Sequence, residues 1–143
     1  MRLVRGLLGE NEQEFNLISP ATAAGERFMK TVQTRGLPFA ALVNNETERA
    51  RLEKSGIAHV ILADTMSRNF VRPPELPFGK VFLFDRNLPL TCRYLQICRQ
   101  WTSRPIYVIK TGGNPWLTYK SLGADYIIHT NGDDVSFLVG RHA

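Results

Sequence analysis

The sequence predicts an α/β fold, a doubly wound parallel sheet of about six strands in a single three-layer α/β/α domain. Short apolar segments alternate with segments of helical composition, and most of the apolar segments are uniformly apolar, as in strands covered on both faces. Glycines at positions 36, 56 and 123 each separate a helical segment from an apolar one. A chain of 143 residues with 43% hydrophobic and 22% charged residues has the composition and length of one globular domain.

Residues 15–45 predict the βαβ unit with which such a sheet begins. An apolar run over 15–18 leads through a loop into a helix over 26–35, and an apolar run over 39–43 forms the next strand. We expect the strand over 39–43 at the centre of the sheet, with the first strand beside it. Ligands of doubly wound sheets bind outside the carboxyl ends of the strands, so the loops that follow these two strands are candidate sites.

The later elements follow the same alternation. We expect a helix over 46–55 with Asn45 as its N-cap, a strand over 57–62 buried on both faces and a proline-rich loop over 64–79. A strand over 80–84, a helix over 90–101 and a strand over 105–109 follow. The last elements are a helix over 115–122, a strand over 126–128 and a closing helix over 133–139. Right-handed crossovers leave few topologies, and six strands match the order 3-2-1-4-5-6. Residues 1–14 are predicted as an N-terminal arm or edge strand, and 15–143 as the domain.

Cysteine spacing and hydropathy predict a cytoplasmic protein. Cys92 and Cys98 fall in one predicted helix at a spacing that puts them on opposite faces, so we expect no disulfide between them. No apolar run approaches the ~18 residues of a membrane helix, and residues 1–6 lead into no signal-peptide core. We therefore expect no membrane association.

The net charge of +5 and the pI near 9.6 raise the question of a nucleic-acid surface. The basic residues are spread thinly, however, with Arg49, Arg51 and Lys54 on one predicted helix and Arg93 and Arg99 on another. Because no dense basic block forms, the pattern favours a solvated surface over a nucleic-acid face.

Three segments carry a family resemblance, namely 25–28 at the start of the first helix, 35–38 before the second strand, and 52–61. Through them, residues 16–61 resemble the cofactor-binding domain of medium-chain alcohol dehydrogenases and quinone oxidoreductases, and the related nucleotide-binding domains of potassium-uptake regulators. The resemblance implies NAD(P) or another nucleotide or phosphate as the ligand. The candidate binding residues are Thr22, Gly25, Asn44, Asn45, Arg49, Thr111 and Gly112.

The phosphate-binding loop departs from that family. When Gly25 is aligned with the third glycine of the G-x-G-x-x-G motif, Thr22 takes the second position and Pro20 the first. Both residues disfavour the tight turn and the close backbone approach to a pyrophosphate. The amides and dipole of the helix N-terminus remain able to attract an anion. Two interpretations stay open, a loop that binds no dinucleotide and a loop with altered nucleotide or phosphate binding.

The end of the second predicted strand also departs from the family. Asn44 and Asn45 replace the acidic residue that holds the ribose of NAD, whereas Arg49 and Arg51 suit the 2′-phosphate of NADP. The alternative is an N-cap followed by solvated helix charges.

Further along the chain, Thr111 and Gly112 begin a strand-to-helix joint that contacts a ligand or simply forms a turn.

A second resemblance lies in the C-terminal half. Residues 82–89, 105–111 and 122–129 are similar to response-regulator receiver domains, in which Asp85 would be the phosphoacceptor and Thr111 the switch hydroxyl. Asn44-Asn45 and His129 stand where those domains carry their acidic pair and their lysine. The resemblance therefore implies a pseudo-receiver that lacks the oxygen ligands Mg²⁺ requires.

The functional expectation is a non-catalytic or regulatory binding or assembly module with a diverged dinucleotide-binding loop. A dehydrogenase needs a second domain or long insertions to hold its substrate, and we expect none in these 143 residues. The alternatives are an NAD(P)-dependent oxidoreductase that acts as an oligomer and a pseudo-receiver signalling domain.

The histidines show no metal-ligand spacing. We expect a homodimer, built on apolar residues of 1–8 or on Phe70, Val71, Leu76 and Phe78 of the proline-rich loop.

Overall fold

A computed structural model of the protein describes residues 14–67, 71–111, 116–131 and 138. In chain order the elements are β1 (Phe15–Ser19), α1 (Ala23–Thr34), β2 (Phe39–Val43), α2 (Glu46–Lys54), β3 (Val60–Leu62), β4 (Phe78–Phe84), α3 (Leu88–Trp101), β5 (Ile106–Lys110), α4 (Trp116–Ser121) and β6 (Tyr126–His129). The predicted N-terminal arm, apart from residue 14, and the predicted closing helix, apart from Leu138, lie outside the described residues.

The strands form one parallel sheet in the order β3-β2-β1-β4-β5-β6. The predicted fold class, a doubly wound α/β sheet of six strands, is confirmed. The expectation that β2 occupies the centre is wrong. After β3 the chain crosses back to the far side of β1, so β1 and β4 are the central pair and β2 lies one strand from the edge.

Local capping explains where several elements begin and end. Helix α1 begins at Ala23, earlier than predicted, because Thr22 is its N-cap. Asn87 caps α3, whose first turn accommodates Pro89. The third strand is a short edge strand with Leu62 44% exposed, so the expectation that it is buried on both faces is wrong.

Side chains alternate between two core layers, one on each face of the sheet. On one face α1 packs against β4, with the ring of Phe28 5.0 Å from that of Phe82 and 5.5 Å from that of Phe84. On the opposite face α3 and α4 bury Leu95 and Tyr119 against the sheet. Burial on both faces accounts for the unbroken apolar composition of the central strands.

The described part of the proline-rich loop packs against its own domain. Val71 and Leu76 are half-buried against the α3 layer, and Phe78 begins β4 rather than belonging to the loop. The indole nitrogen of Trp101 donates to the Val71 carbonyl at 2.7 Å, and its ring stacks on Phe78 at 5.7 Å. These three apolar residues are therefore used largely within the domain. Phe70 and residues 1–8 lie outside the described residues.

In the part of the chain that the structure describes, no helix combines the length and apolar character needed to cross a membrane.

Candidate functional site

A cleft of about 370 Å³ opens at the carboxyl ends of β1, β2 and β4, where the strand order reverses. We call it the switch-point cleft. It is lined by Ser19, Pro20, Ala21, Thr22, Ala23 and Glu26, by Leu42, Val43, Asn44, Asn45, Glu48 and Arg51, and by Arg86, Leu90 and Tyr94. Its position is the one at which doubly wound sheets bind ligands, and its volume is at the small end of ligand sites.

Thr22 closes the first turn of α1. Its side-chain oxygen accepts a hydrogen bond from the Gly25 amide at 3.1 Å, and its carbonyl accepts from the Glu26 amide at 2.9 Å. Threonine is a preferred N-cap because its hydroxyl satisfies one of the amides that have no partner within the helix. The Gly25 amide is thus bonded by the protein itself.

Gly25 is buried where α1 crosses the sheet. A Cβ atom at this position would lie 2.9 Å from the Cα of Pro20 and 3.0 Å from the Cγ of Phe84. This close packing of helix against strand is the role of the third glycine in the dinucleotide-binding motif. Gly25 therefore sets the approach of α1 to β4, whereas Thr22 faces the cleft.

The α2 side of the cleft carries a charge cluster. A guanidinium nitrogen of Arg51 bonds Glu26 at 2.6 Å and Glu48 at 2.8 Å, which links α1 to α2. The hydrogen bond from Arg51 lowers the pKa of Glu48 against the opposing effect of partial burial, and the charges of Arg51 and Arg86 lower it further. The pKa of Arg51 is raised, first by its hydrogen bonds to Glu48 and Glu26. Glu48 is therefore ionised at neutral pH.

The other side and the floor of the cleft are formed by residues of β1 and α3. Ser19 and Tyr94 line the cleft although they are 1% and 3% exposed, and their side chains are hydrogen-bonded to each other. Burial, and next the neighbouring Cys98, raise the pKa of Tyr94 against the opposing effect of Ser19. Arg86 is exposed and makes no hydrogen bond or ion pair with another described residue.

Three of the seven candidate binding residues line this cleft. Thr22 does so as the cap of α1. The amide nitrogen of Asn44 donates to the Thr65 hydroxyl at 3.2 Å. Asn45 accepts from the Glu48 amide at 2.8 Å, which confirms it as the N-cap of α2.

The other predicted residues lie elsewhere. Arg49 pairs with Glu46 and with Glu53 along α2 and is not among the cleft residues, whereas Arg51 is. Thr111 is exposed after β5, separated from β1 by β4. Gly112 lies outside the described residues.

The cleft is also lined by four residues that were not predicted from the sequence, namely Glu26, Glu48, Arg86 and Tyr94. That Arg86 lies at the cleft could have been predicted from the strand order. In the strand order 3-2-1-4-5-6, the loop after the fourth strand lies beside the loop after the first. Arg86 falls in that loop, one residue after Asp85.

Asp85 belongs to a separate buried cluster. One carboxylate oxygen accepts from the Thr91 hydroxyl at 2.8 Å and from the Tyr119 hydroxyl at 2.9 Å. Burial, and then the hydrogen bond to Asp85, raise the pKa of Tyr119. In a receiver domain the residues matched by Asn44 and Asp85 would lie side by side. Here β1 separates β2 from β4, so Asn44 and Asp85 follow strands that are not neighbours. A phosphoacceptor role for Asp85 stays a prediction.

The cysteines of α3 are free thiols. Burial raises the pKa of Cys98 to about 12. Burial, and then the charge of Asp85, raise the pKa of Cys92. Both are therefore protonated at neutral pH and poorly nucleophilic. Among the described histidine, cysteine and acidic residues, no three are grouped so as to hold a metal ion.

Comparisons with protein-family models and with curated proteins find no match to this chain.

Proposed function

We propose that this domain is a binding or assembly module without catalytic activity of its own, Rossmann-like in fold, in which the dinucleotide-binding mode is lost. The carrying observation is the hydrogen bond between Thr22 and Gly25. Dinucleotide-binding domains hold the pyrophosphate on first-turn amides, with glycines that allow close approach. Here Thr22 engages one such amide, and Pro20 contributes none.

The charges on the α1 and α2 side of the cleft support the same proposal. Glu26 and Glu48 share a single guanidinium, that of Arg51, so the side formed by α1 and α2 carries one net negative charge. A pyrophosphate at the α1 N-terminus would bring further negative charge beside these carboxylates. The negative charges of the pyrophosphate and of the two carboxylates would repel each other, and this repulsion opposes the attraction of the helix dipole.

The reactive side chains support a role without catalysis. The thiols of Cys92 and Cys98 are protonated at neutral pH because burial raises the pKa of each. The Asp85 carboxylate is held by Thr91 and Tyr119 inside the domain rather than presented in the cleft. None of these three residues is available there as a nucleophile or general base.

Calorimetric titration of the full chain with NADH and NADPH tests the proposal. We expect dissociation constants weaker than ~100 µM for both, because the contacts between first-turn amides and pyrophosphate are missing. Micromolar binding of either would overturn it.

Arg49→Ala identifies the alternative. Arg49 lies outside the cleft, so this substitution should leave both titrations unchanged. If it weakened NADPH more than NADH, the result would favour the NADP-dependent oxidoreductase instead.

A further inference from the structure

We propose that the switch-point cleft binds a polyhydroxylated monocarboxylate, a ligand of the sugar-acid class. Its carboxylate would lie against Arg86 and its hydroxyl groups against Glu26 and Glu48. This inference rests on the proposed function, because it requires that the cleft has lost the dinucleotide-binding mode.

Arg86 selects an anionic group. It lines the cleft on the β4 side and makes no hydrogen bond or ion pair with another described residue. Its charge reaches across the cleft, since it helps to lower the pKa of Glu48. A guanidinium offers paired N–H donors in a geometry that matches a carboxylate.

The opposite side limits the ligand to one negative charge. Glu26 and Glu48 are both bonded to Arg51, so two carboxylates share one guanidinium. A doubly charged phosphate monoester on Arg86 would face this net negative side. A carboxylate carries one charge, which Arg86 balances, and so suffers less repulsion.

The same carboxylates favour hydroxyl groups elsewhere on the ligand. Ionised carboxylates only accept hydrogen bonds, and each can accept several. Arg51 contacts Oε2 of Glu26, whereas Oε1 makes no hydrogen bond with a described residue. A ligand hydroxyl can donate to this oxygen. The floor of the cleft has a polar part and an apolar part. The polar part is formed by the buried hydroxyls of Ser19 and Tyr94, and the apolar part by the side chain of Leu90.

The cleft volume of about 370 Å³ suits a ligand of sugar size better than a complete dinucleotide. Titration of the full chain with D-gluconate at low ionic strength, followed by NMR of the labelled protein, provides the test. We expect a dissociation constant of about 1 mM or tighter, given the size of the ligand. Sorbitol, which keeps the hydroxyls without the charge, and acetate, which keeps the charge without the hydroxyls, should each bind about tenfold more weakly.

Arg86→Gln should weaken gluconate binding by about tenfold or more, because it removes the charged partner. Arg35→Gln is the matched control, since Arg35 is exposed and lies outside the cleft, and it should leave the affinity unchanged. Thermal melts of both variants show whether each is folded.

The contradicting outcomes separate the two proposals. Absence of gluconate binding, with NADH binding still weaker than ~100 µM, would overturn the sugar-acid inference and leave the proposed function standing. Micromolar NADH binding would overturn the proposed function. Glucose 6-phosphate binding more tightly than gluconate would contradict the preference for one negative charge, and an unchanged affinity in Arg86→Gln would contradict the role of Arg86.

Discussion

The hydroxyl of Thr22 accepts a hydrogen bond from the Gly25 amide at 3.1 Å at the start of α1. This contact lies at the switch point, where the loops after β1 and β4 are adjacent. It stabilises α1 and also engages an amide that a bound pyrophosphate would use. The helix cap and a bound pyrophosphate would therefore compete for one donor.

The energetic role of the cap can be measured directly. Thr22→Ala should lower the free energy of unfolding by about 1 kcal/mol, because the Gly25 amide loses its acceptor. Urea denaturation provides the measurement. Thr22→Ser, which keeps the hydroxyl, should retain most of the stability, and equal losses in both variants would argue against capping.

Gly25→Ala should destabilise the domain although alanine is the better helix former. The added Cβ would lie 2.9 Å from the backbone of Pro20 and 3.0 Å from the ring of Phe84, and backbone cannot move aside cheaply. We expect a loss of about 1–3 kcal/mol in chemical denaturation, typical of overpacking. Lys30→Ala, on the exposed face of α1, should change stability by less than ~0.5 kcal/mol. A stabilised Gly25→Ala variant would show that α1 can shift away from β4.

Local signals in the sequence predicted most elements, and the count of six strands predicted the order 3-2-1-4-5-6 that the sheet adopts. Asn45 caps α2 as expected, and glycines 36, 56 and 123, which end helical segments, adopt φ values of 70°, 99° and 118°. Such conformations suit glycine, so the sequence marks them. That order already places β1 and β4 at the centre, and the separate expectation of a central β2 failed because the uniformly apolar composition of β2 reflects burial on both faces rather than a central position.

The arginines of α2 show why the site was predicted only in part. Arg49 and Arg51 lie two residues apart, which is about 200° around the helix, so only one of them can face the cleft. Arg51 faces it because Glu26 of α1 offers a partner, and Arg49 instead bonds Glu46 within α2. The partner in α1 is remote in sequence, and its position is fixed only by tertiary packing.

The buried tyrosines predict a loss of stability in alkali. Tyr94 and Tyr119 have raised pKa values in the folded protein, chiefly because of burial. Their stabilising contribution is therefore complete below pH ~10, where the unfolded state also keeps them protonated, and is lost as the pH rises further. Tyr119→Phe should flatten the alkaline decline by up to ~1.4 kcal/mol per pH unit in urea denaturation above pH ~10. An unchanged slope would contradict this coupling.

At neutral pH the same substitution should cost about 1–2 kcal/mol, because Asp85 loses a buried hydrogen-bond donor. Tyr126→Phe is a suitable control, since Tyr126 is 52% exposed. It should change stability by less than ~0.5 kcal/mol at neutral pH.

Self-association remains a prediction, and light scattering across micromolar concentrations tests it. We expect the mass of a dimer. Val71, Leu76 and Phe78 pack within their own domain, which leaves the N-terminal segment as the predicted interface to test first. A chain that starts at Glu10 should then be monomeric. A monomeric mass for the full chain would contradict the dimer, and a persistent dimer after truncation would place the interface elsewhere.

Whether the first turn of α1 has lost dinucleotide binding can be read from the ¹⁵N NMR signal of the Gly25 amide during titration with NADH. Because Thr22 already engages this amide, we predict that its chemical shift stays nearly constant while NADH rises to ~100 µM. The same signal in Thr22→Gly should respond more strongly, since the amide is then available to an anion. A saturable shift of Gly25 in the unaltered protein at micromolar NADH would show that the first turn of α1 still binds a dinucleotide, and would contradict the account.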